Sequence, residues 1–368
     1  AMSASERGHC LRRLAMLLAE RSDELGTIET TDTGKMLKET RWQAKYISEF
    51  FHFFAGCADK IHGETLPIDK PDLFVFTNRE PLGVIAAVVP WNSQLFLSAV
   101  KIGPALAAGN TIVLKASEFA SAAMLEFGSL IAEAGIPDGV VNIVTGHGDP
   151  CGRVLTSHPL VARISFTGGP NAARHVIGNS THNFAEVSLE LGGKSPIIVF
   201  EDADIDSAVN GAAGGIFGAS GQSCVAGSRL LLHETIADQF IEKMQAIATG
   251  IKIGDPMLEQ TEMGPLCTFG QLETIERELA HAKTKAQQSF AVGSAPKPAV
   301  ICSFNQLLLH VQAQTCALST LNYSAPWSQS CASKTKPMPF VWPIAANTGW
   351  RRVFSPALAP ARCAWRKR

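Results

Sequence analysis

The sequence predicts an α/β protein organised on a doubly wound parallel sheet. Three observations lead there. Short β-branched runs alternate with helical segments from residue 84 onward, the loops between them are short, and two strand-to-helix turns are glycine-rich. With 368 residues, 46% of them hydrophobic, the chain has enough material for two domains and a large core.

The elements follow in order. The opening "AMSASERGHCLRRLAMLLAERSDEL" reads as an amphipathic helix, with charges through its apolar stripe and no small-residue cleavage site. Residues 62–83, "HGETLPIDKPDLFVFTNREPLG", interrupt the rhythm with extended pieces around Pro67 and Pro71. A hairpin offering an oligomerisation edge and a long surface loop both satisfy that pattern. "VIAAVV" (84–89) is a buried parallel strand, and "SAVKIGPALAAG" (98–109) is a helix ending at Gly109, a left-handed cap position. "NTIVLK" (110–115) is the next strand, and residues 121–135 form a helix stopped by Gly135 and "IPDG". Strands are expected at 140–144, 162–166, 196–200 and 229–233, and helices at 149–158, 171–178, 203–217 and 235–249. Open sheets of this kind bind ligands at the carboxyl ends of their strands.

Composition narrows the function. The net charge is −1 and no apolar run reaches the roughly 18 residues that span a bilayer, so neither nucleic acid nor membrane is an expected partner. Nine cysteines, odd in number and widely spread without a CxxC pair, argue against a disulfide framework and for a reducing, cytoplasmic setting. The histidines do not fall in a metal-binding pattern, so no metal is expected.

Five short motifs carry chemistry. "GHGDPCG" (146–152) and "FTGGPNAAR" (166–174) each follow a strand and open a helix, where backbone N–H groups face a phosphate or merely make a tight turn. "LKASE" places Lys115 and Glu118 at a strand end, suited to sugar hydroxyls or to an exposed ion pair of little value. "LELGGKSP" puts Glu190 among apolar neighbours before two glycines. A desolvated carboxylate is drawn toward general-base work, and the glycines imply close approach of something. "GQSCVAGSR" sets Cys224 among small residues, where its own N–H and the amide of Asn92 in "VPWNS" are available to a developing oxyanion.

With "VVPWN", "LKASE", "FTGG", "LELGGKSP" and "FGASGQSCVAGSR" in this order, residues 5–285 resemble the NAD(P)-dependent aldehyde dehydrogenase superfamily. The resemblance implies that Cys224 attacks an aldehyde to give a thiohemiacetal. Asn92 and the Cys224 N–H would hold the oxyanion, and Glu190 would activate the water that hydrolyses the thioester. It implies NAD as cofactor, with Lys115 and Glu118 on the adenosine ribose and Glu118 disfavouring the 2′-phosphate of NADP. Trp91, Gly148, Gly168, Gly169 and Leu191 match further cofactor positions. At Gly169 many relatives carry a serine, and at Ala173 many carry a glycine.

The same resemblance sets the domain expectations: an NAD-binding domain over 1–192 and an incomplete α/β catalytic domain over 193–285. Residues 286–368 form a tail of another character. They contain nine Lys or Arg, four of the six Trp and no Asp or Glu, whereas residues 1–285 hold 33 acidic and 23 basic residues. The expectation is an irregular, out-of-frame extension, which reading the gene in its alternative frame tests. Relatives continue well past residue 285 with a Glu-Phe-Gly-Pro motif and a strand that pairs subunits. Neither is found here, so weak or absent turnover and an impaired homo-oligomer are expected. Two alternatives remain: a non-catalytic nucleotide-binding remnant or interaction protein, and an enzyme passing the acyl group to coenzyme A.

Overall fold

The computed structural model describes residues 2–291 and 331–333. Residues 2–291 lie within one compact unit. Three helices come first: α1 (Ala4–Glu20), α2 (Ser22–Thr33) and α3 (Leu37–Cys57). Ser3 opens α1 with a reciprocal cap. Its hydroxyl accepts from the Glu6 N–H at 3.3 Å, and the Glu6 carboxylate accepts from the Ser3 N–H at 2.7 Å. The single N-terminal helix expected from the apolar stripe is broken at Arg21, whose φ and ψ of −96° and 16° leave the helical region. Leu11, Leu14 and Leu18 of α1 and Ile47 and Phe51 of α3 are buried together in one core cluster.

The excursion at 62–83 forms an antiparallel hairpin, β1 (Thr65–Leu66) with β2 (Val75–Phe76). Phe74 and Phe76 are exposed on it.

The sheet follows as expected. Strands β3 (Val84–Val88), β4 (Thr111–Lys115), β5 (Val141–Val144), β6 (Val161–Gly168) and β7 (Glu186–Leu191) lie in the order β5-β4-β3-β6-β7. Every neighbouring pair is parallel. The chain winds outward from β3 to β5, then returns to place β6 on the other side of β3, so the winding reverses between β3 and β6. Helices α4 (Gln94–Ala107), α5 (Ala122–Glu133), α6 (Arg153–Ser157) and α7 (Pro170–Ser180) make the crossovers. α4 begins at Gln94, ahead of the expected Ser98, while Gly109 has the predicted left-handed φ of 84°. Only Arg153–Ser157 of the helix expected at 149–158 is α-helical, because Asp149 adopts extended backbone (φ −122°, ψ 129°).

Beyond β7 the chain builds a second, smaller layer. β8 (Pro196–Val199) and β9 (Arg229–His233) pair in parallel, and β10 (Cys331–Ser333) lies beside β9. Helices α8 (Ile205–Phe217) and α9 (Glu234–Gly250) pack on them, burying Phe217, Leu230, Phe240 and Met244 in a core of their own. Asp204 caps α8 by accepting from the Ser207 N–H at 2.8 Å. A last helix, α10 (Phe269–Ala291), has no counterpart in the sequence reading and runs past the composition break at residue 285. The rest of the expected irregular tail, apart from β10, lies outside the described residues.

Candidate active site

Parallel strands put all their carboxyl ends on one edge of the sheet, so residues scattered along the chain share a single crevice. β3 leads into Trp91 and Asn92, β4 ends on Lys115, β5 leads to Gly148, β6 ends on Gly168 and β7 ends on Leu191.

Lys115 Nζ donates to Glu118 Oε2 at 2.9 Å. The ammonium is buried and the carboxylate only partly exposed, so this is not the solvated ion pair that the spacing alone permits. Burial pushes the Glu118 carboxyl up. Hydrogen bonds from its own backbone N–H and from Lys115, with His147 at 3.9 Å, outweigh that and hold it below the usual carboxylate range.

The same crevice fits a dinucleotide. Gly169, the N-cap of α7, is extended, and no side chain bonds the first-turn N–H groups of that helix. A Cβ built on Gly169 or on Gly148 meets nothing within 4 Å, so backbone donors are open to a phosphate. Gly168 is glycine for packing, since a Cβ there would lie 2.6 Å from the Phe166 ring. Ala173 is buried in the core behind α7, which accommodates its methyl group.

Glu190 pairs with Thr167 in the β6–β7 register, and its side chain is exposed. The apolar desolvation expected for it is therefore absent, because β7 is an edge strand and its last two residues are exposed. Its electrostatic partner is Lys101 of α4, which donates to Ser165 Oγ at 2.9 Å. Burial lowers the Lys101 ammonium to about 8, against an upward pull from the charge of Glu190. The Thr167 hydroxyl beside it is buried without a hydrogen-bond partner among the described residues.

Cys224 is exposed. Asn92 Nδ2 donates to the carbonyl of Gln222, two residues ahead of the thiol, at 2.7 Å. The amide expected to serve an oxyanion thus spends one of its two N–H groups on the cysteine loop itself. Gly193 supplies the second contact: a Cβ there would lie 3.0 Å from the Cys224 carbonyl oxygen. The close approach implied by the glycines after Glu190 is the backbone of Cys224. Asn92, the strand end bearing Glu190, and the thiol loop therefore meet, with half-buried Trp91 and exposed Leu191 at the same strand ends.

Sequence reasoning missed Lys101, Thr167 and Gln222. For Lys101 a signal existed, a lone cation within an otherwise apolar helix; for Gln222 there was none. Among the described residues no three His, Cys, Asp or Glu side chains gather as a metal site, and no helix is long and apolar enough to cross a membrane.

Fold and crevice define a class: a dinucleotide-type α/β domain presenting an exposed cysteine between an asparagine amide and a carboxylate strand end. The chain belongs to the aldehyde dehydrogenase family, whose profile matches residues 1–301 and so extends past residue 285. It is 57% identical over 276 residues to (Z)-2-((N-methylformamido)methylene)-5-hydroxybutyrolactone dehydrogenase of Acinetobacter baylyi, covering 75% of this chain and 57% of that one. It is 42% identical over 290 residues to hydroxyisobutyraldehyde dehydrogenase of Mycolicibacterium austroafricanum, covering 79% and 57%. The solved structure of PnpE in complex with nicotinamide adenine dinucleotide, a protein of a Pseudomonas species, superposes with a TM-score of 0.74 at 44% identity, covering 78% and 58%. The chain spans a little over half the length of these relatives.

Proposed function

We propose that this protein oxidises an aldehyde to a carboxylic acid with NAD, through a covalent intermediate on Cys224. The observation that carries the reading is the meeting of the exposed thiol loop with Asn92, through the Gln222 carbonyl, and with the Glu190 strand end, through Gly193.

Cys224 as thiolate forms a C–S bond to the carbonyl carbon, and the C=O electron pair moves to oxygen. The backbone N–H of Cys224 and the remaining N–H of Asn92 hold that oxyanion. Bound NAD would accept the hydride released as the C–O⁻ electrons return, leaving a thioester. Glu190, exposed and so reachable by water, takes a proton from the water that attacks the thioester, and the thiolate departs. Lys115 and Glu118 bind the adenosine ribose, the open N–H groups at Gly169 take the pyrophosphate, and Trp91, Gly148, Gly168 and Leu191 complete the cofactor contacts. The Glu118 carboxylate, held in its charged form, repels a 2′-phosphate and favours NAD over NADP.

The test is NADH absorbance with NAD and a panel of aldehydes, beginning with the hydroxyisobutyraldehyde for which one relative is named. NADH should form with wild type and not with Cys224→Ser; an unchanged rate in that variant overturns the assignment. NAD binding without NADH favours a nucleotide-binding remnant. Turnover that requires coenzyme A favours acyl transfer, with Glu190 idle.

A further inference from the structure

Three consecutive residues just ahead of the thiol, Ala219, Ser220 and Gly221, have φ of 49°, 55° and 74°. Only the third is a glycine. Residues bearing a Cβ persist in the left-handed region when their surroundings over-determine them, and here the surroundings can be named. Glu39, in the first turn of α3 and 180 positions earlier, accepts the Ala219 N–H on Oε1 at 2.9 Å. Ser220 Oγ donates to the Gly264 carbonyl at 2.8 Å, and Gln222 Oε1 accepts the Cys267 N–H at 3.1 Å. Two of these partners are backbone groups of the segment after α9. Glu39 is instead a side chain, carried by α3.

The carboxylate is itself held. The Leu37 N–H donates to the Pro256 carbonyl at 2.9 Å, and Lys38 Nζ donates to the Thr261 carbonyl at 2.8 Å, pinning the start of α3. Glu39 Oε2 is buried with no hydrogen-bond partner among the described residues, while Oε1 accepts the Ala219 N–H. An acid in a first helical turn is favoured by the helix dipole whatever it touches. The dipole does not explain why it spans to the nucleophile loop.

We propose that Glu39 is a positioning residue. By accepting the Ala219 N–H it holds the left-handed run 219–221 and thereby sets how Cys224 emerges into the crevice. This rests on the reading of Cys224 as the nucleophile, and the experiment separates the two ideas.

Amide hydrogen exchange is followed over residues 219–225, together with iodoacetamide labelling of Cys224 relative to Cys57 and Cys151, in wild type, Glu39→Leu and Glu39→Gln. Losing a hydrogen bond to a charged group should speed exchange in Glu39→Leu by about ten- to a hundredfold. The Cys224 labelling ratio should fall several-fold, toward that of the urea-unfolded chain. Glu39→Gln, which keeps an acceptor oxygen, should restore both. Unchanged exchange in the leucine variant, a glutamine variant as open as leucine, or faster exchange with an unaltered labelling ratio each overturns the proposal. Should Glu39→Leu not fold, Glu39→Asp keeps the charge but withdraws the oxygen by one methylene, and carries the same expectation. If wild-type Cys224 labels no faster than in the unfolded chain, the nucleophile reading fails instead, and exchange still decides the role of Glu39.

Discussion

Placing a methyl group on Gly193 is the sharpest probe of how the thiol loop meets the strand end. The added Cβ would lie 3.0 Å from the Cys224 carbonyl oxygen. That is tighter than ordinary van der Waals contact, so the loop must retreat by a few tenths of an ångström. Overpacking costs about 1–3 kcal/mol. Replacing glycine where φ is not left-handed recovers about 0.4–1 kcal/mol by restricting the unfolded chain. The net destabilisation of Gly193→Ala is then about 1 kcal/mol, a melting shift of about 1–2 °C for a chain of this size. The effect on the thiol should be larger, because a displacement of ~1 Å in a reacting group can cost about a hundredfold. A reaction of Cys224 slower by about three- to fivefold is expected for about a third of that displacement. Gly192 is the built-in control: a Cβ there meets nothing within 4 Å. Iodoacetamide labelling of Cys224 and thermal melting of both alanine variants make the comparison. Equal labelling in Gly193→Ala and Gly192→Ala would refute the claim that this contact sets the position of the thiol.

Other expectations follow from groups around the crevice. Lys101 is held to about 8 in the fold from an ordinary 10.5. Between those values the unfolded chain binds the extra proton, so stability should climb as pH rises from about 8 toward 10. Lys101→Met should flatten that climb in melts at successive pH values, leaving a residual slope from Lys194, also held to about 8 by burial; an identical slope would refute it. Glu118→Ala should weaken NAD binding and narrow the preference over NADP by about tenfold, read by calorimetry of both nucleotides. Phe74 and Phe76 are exposed on the hairpin, and a pairing edge for a second copy there would depend on them. The double change to serine should therefore lower the mass seen by light scattering, and an unaltered mass would rule that role out.

The sheet was legible because its strands are short, β-branched and bounded by turn residues. "VIAAVV", "NTIVLK" and "PIIVF" each appear as strands within a residue or two of the expected limits. That the candidate site positions stand at strand ends was legible for the same reason, since parallel topology alone gathers carboxyl ends. What escaped depends on contacts across the chain. No local pattern says that Lys115 is buried, that Glu190 is exposed at a sheet edge, or that Gln222 links Asn92 to Cys267. α10 escaped because it runs across the composition break at residue 285, where Lys283, Lys285 and a polar run interrupt its apolar period.

The loop bearing Cys224 is fastened on one side by residues that precede it, Glu39 and Asn92, and on the other by Gly264 and Cys267, which follow. During synthesis its left-handed turn cannot lock until both of those later positions have left the ribosome. A nascent chain halted before Gly264 should therefore carry Cys224 as an ordinary cysteine, and acquire its working reactivity only with the segment after α9. On the proposed role of Cys224, completion of its turn is in this way postponed until the layer that houses it has been made.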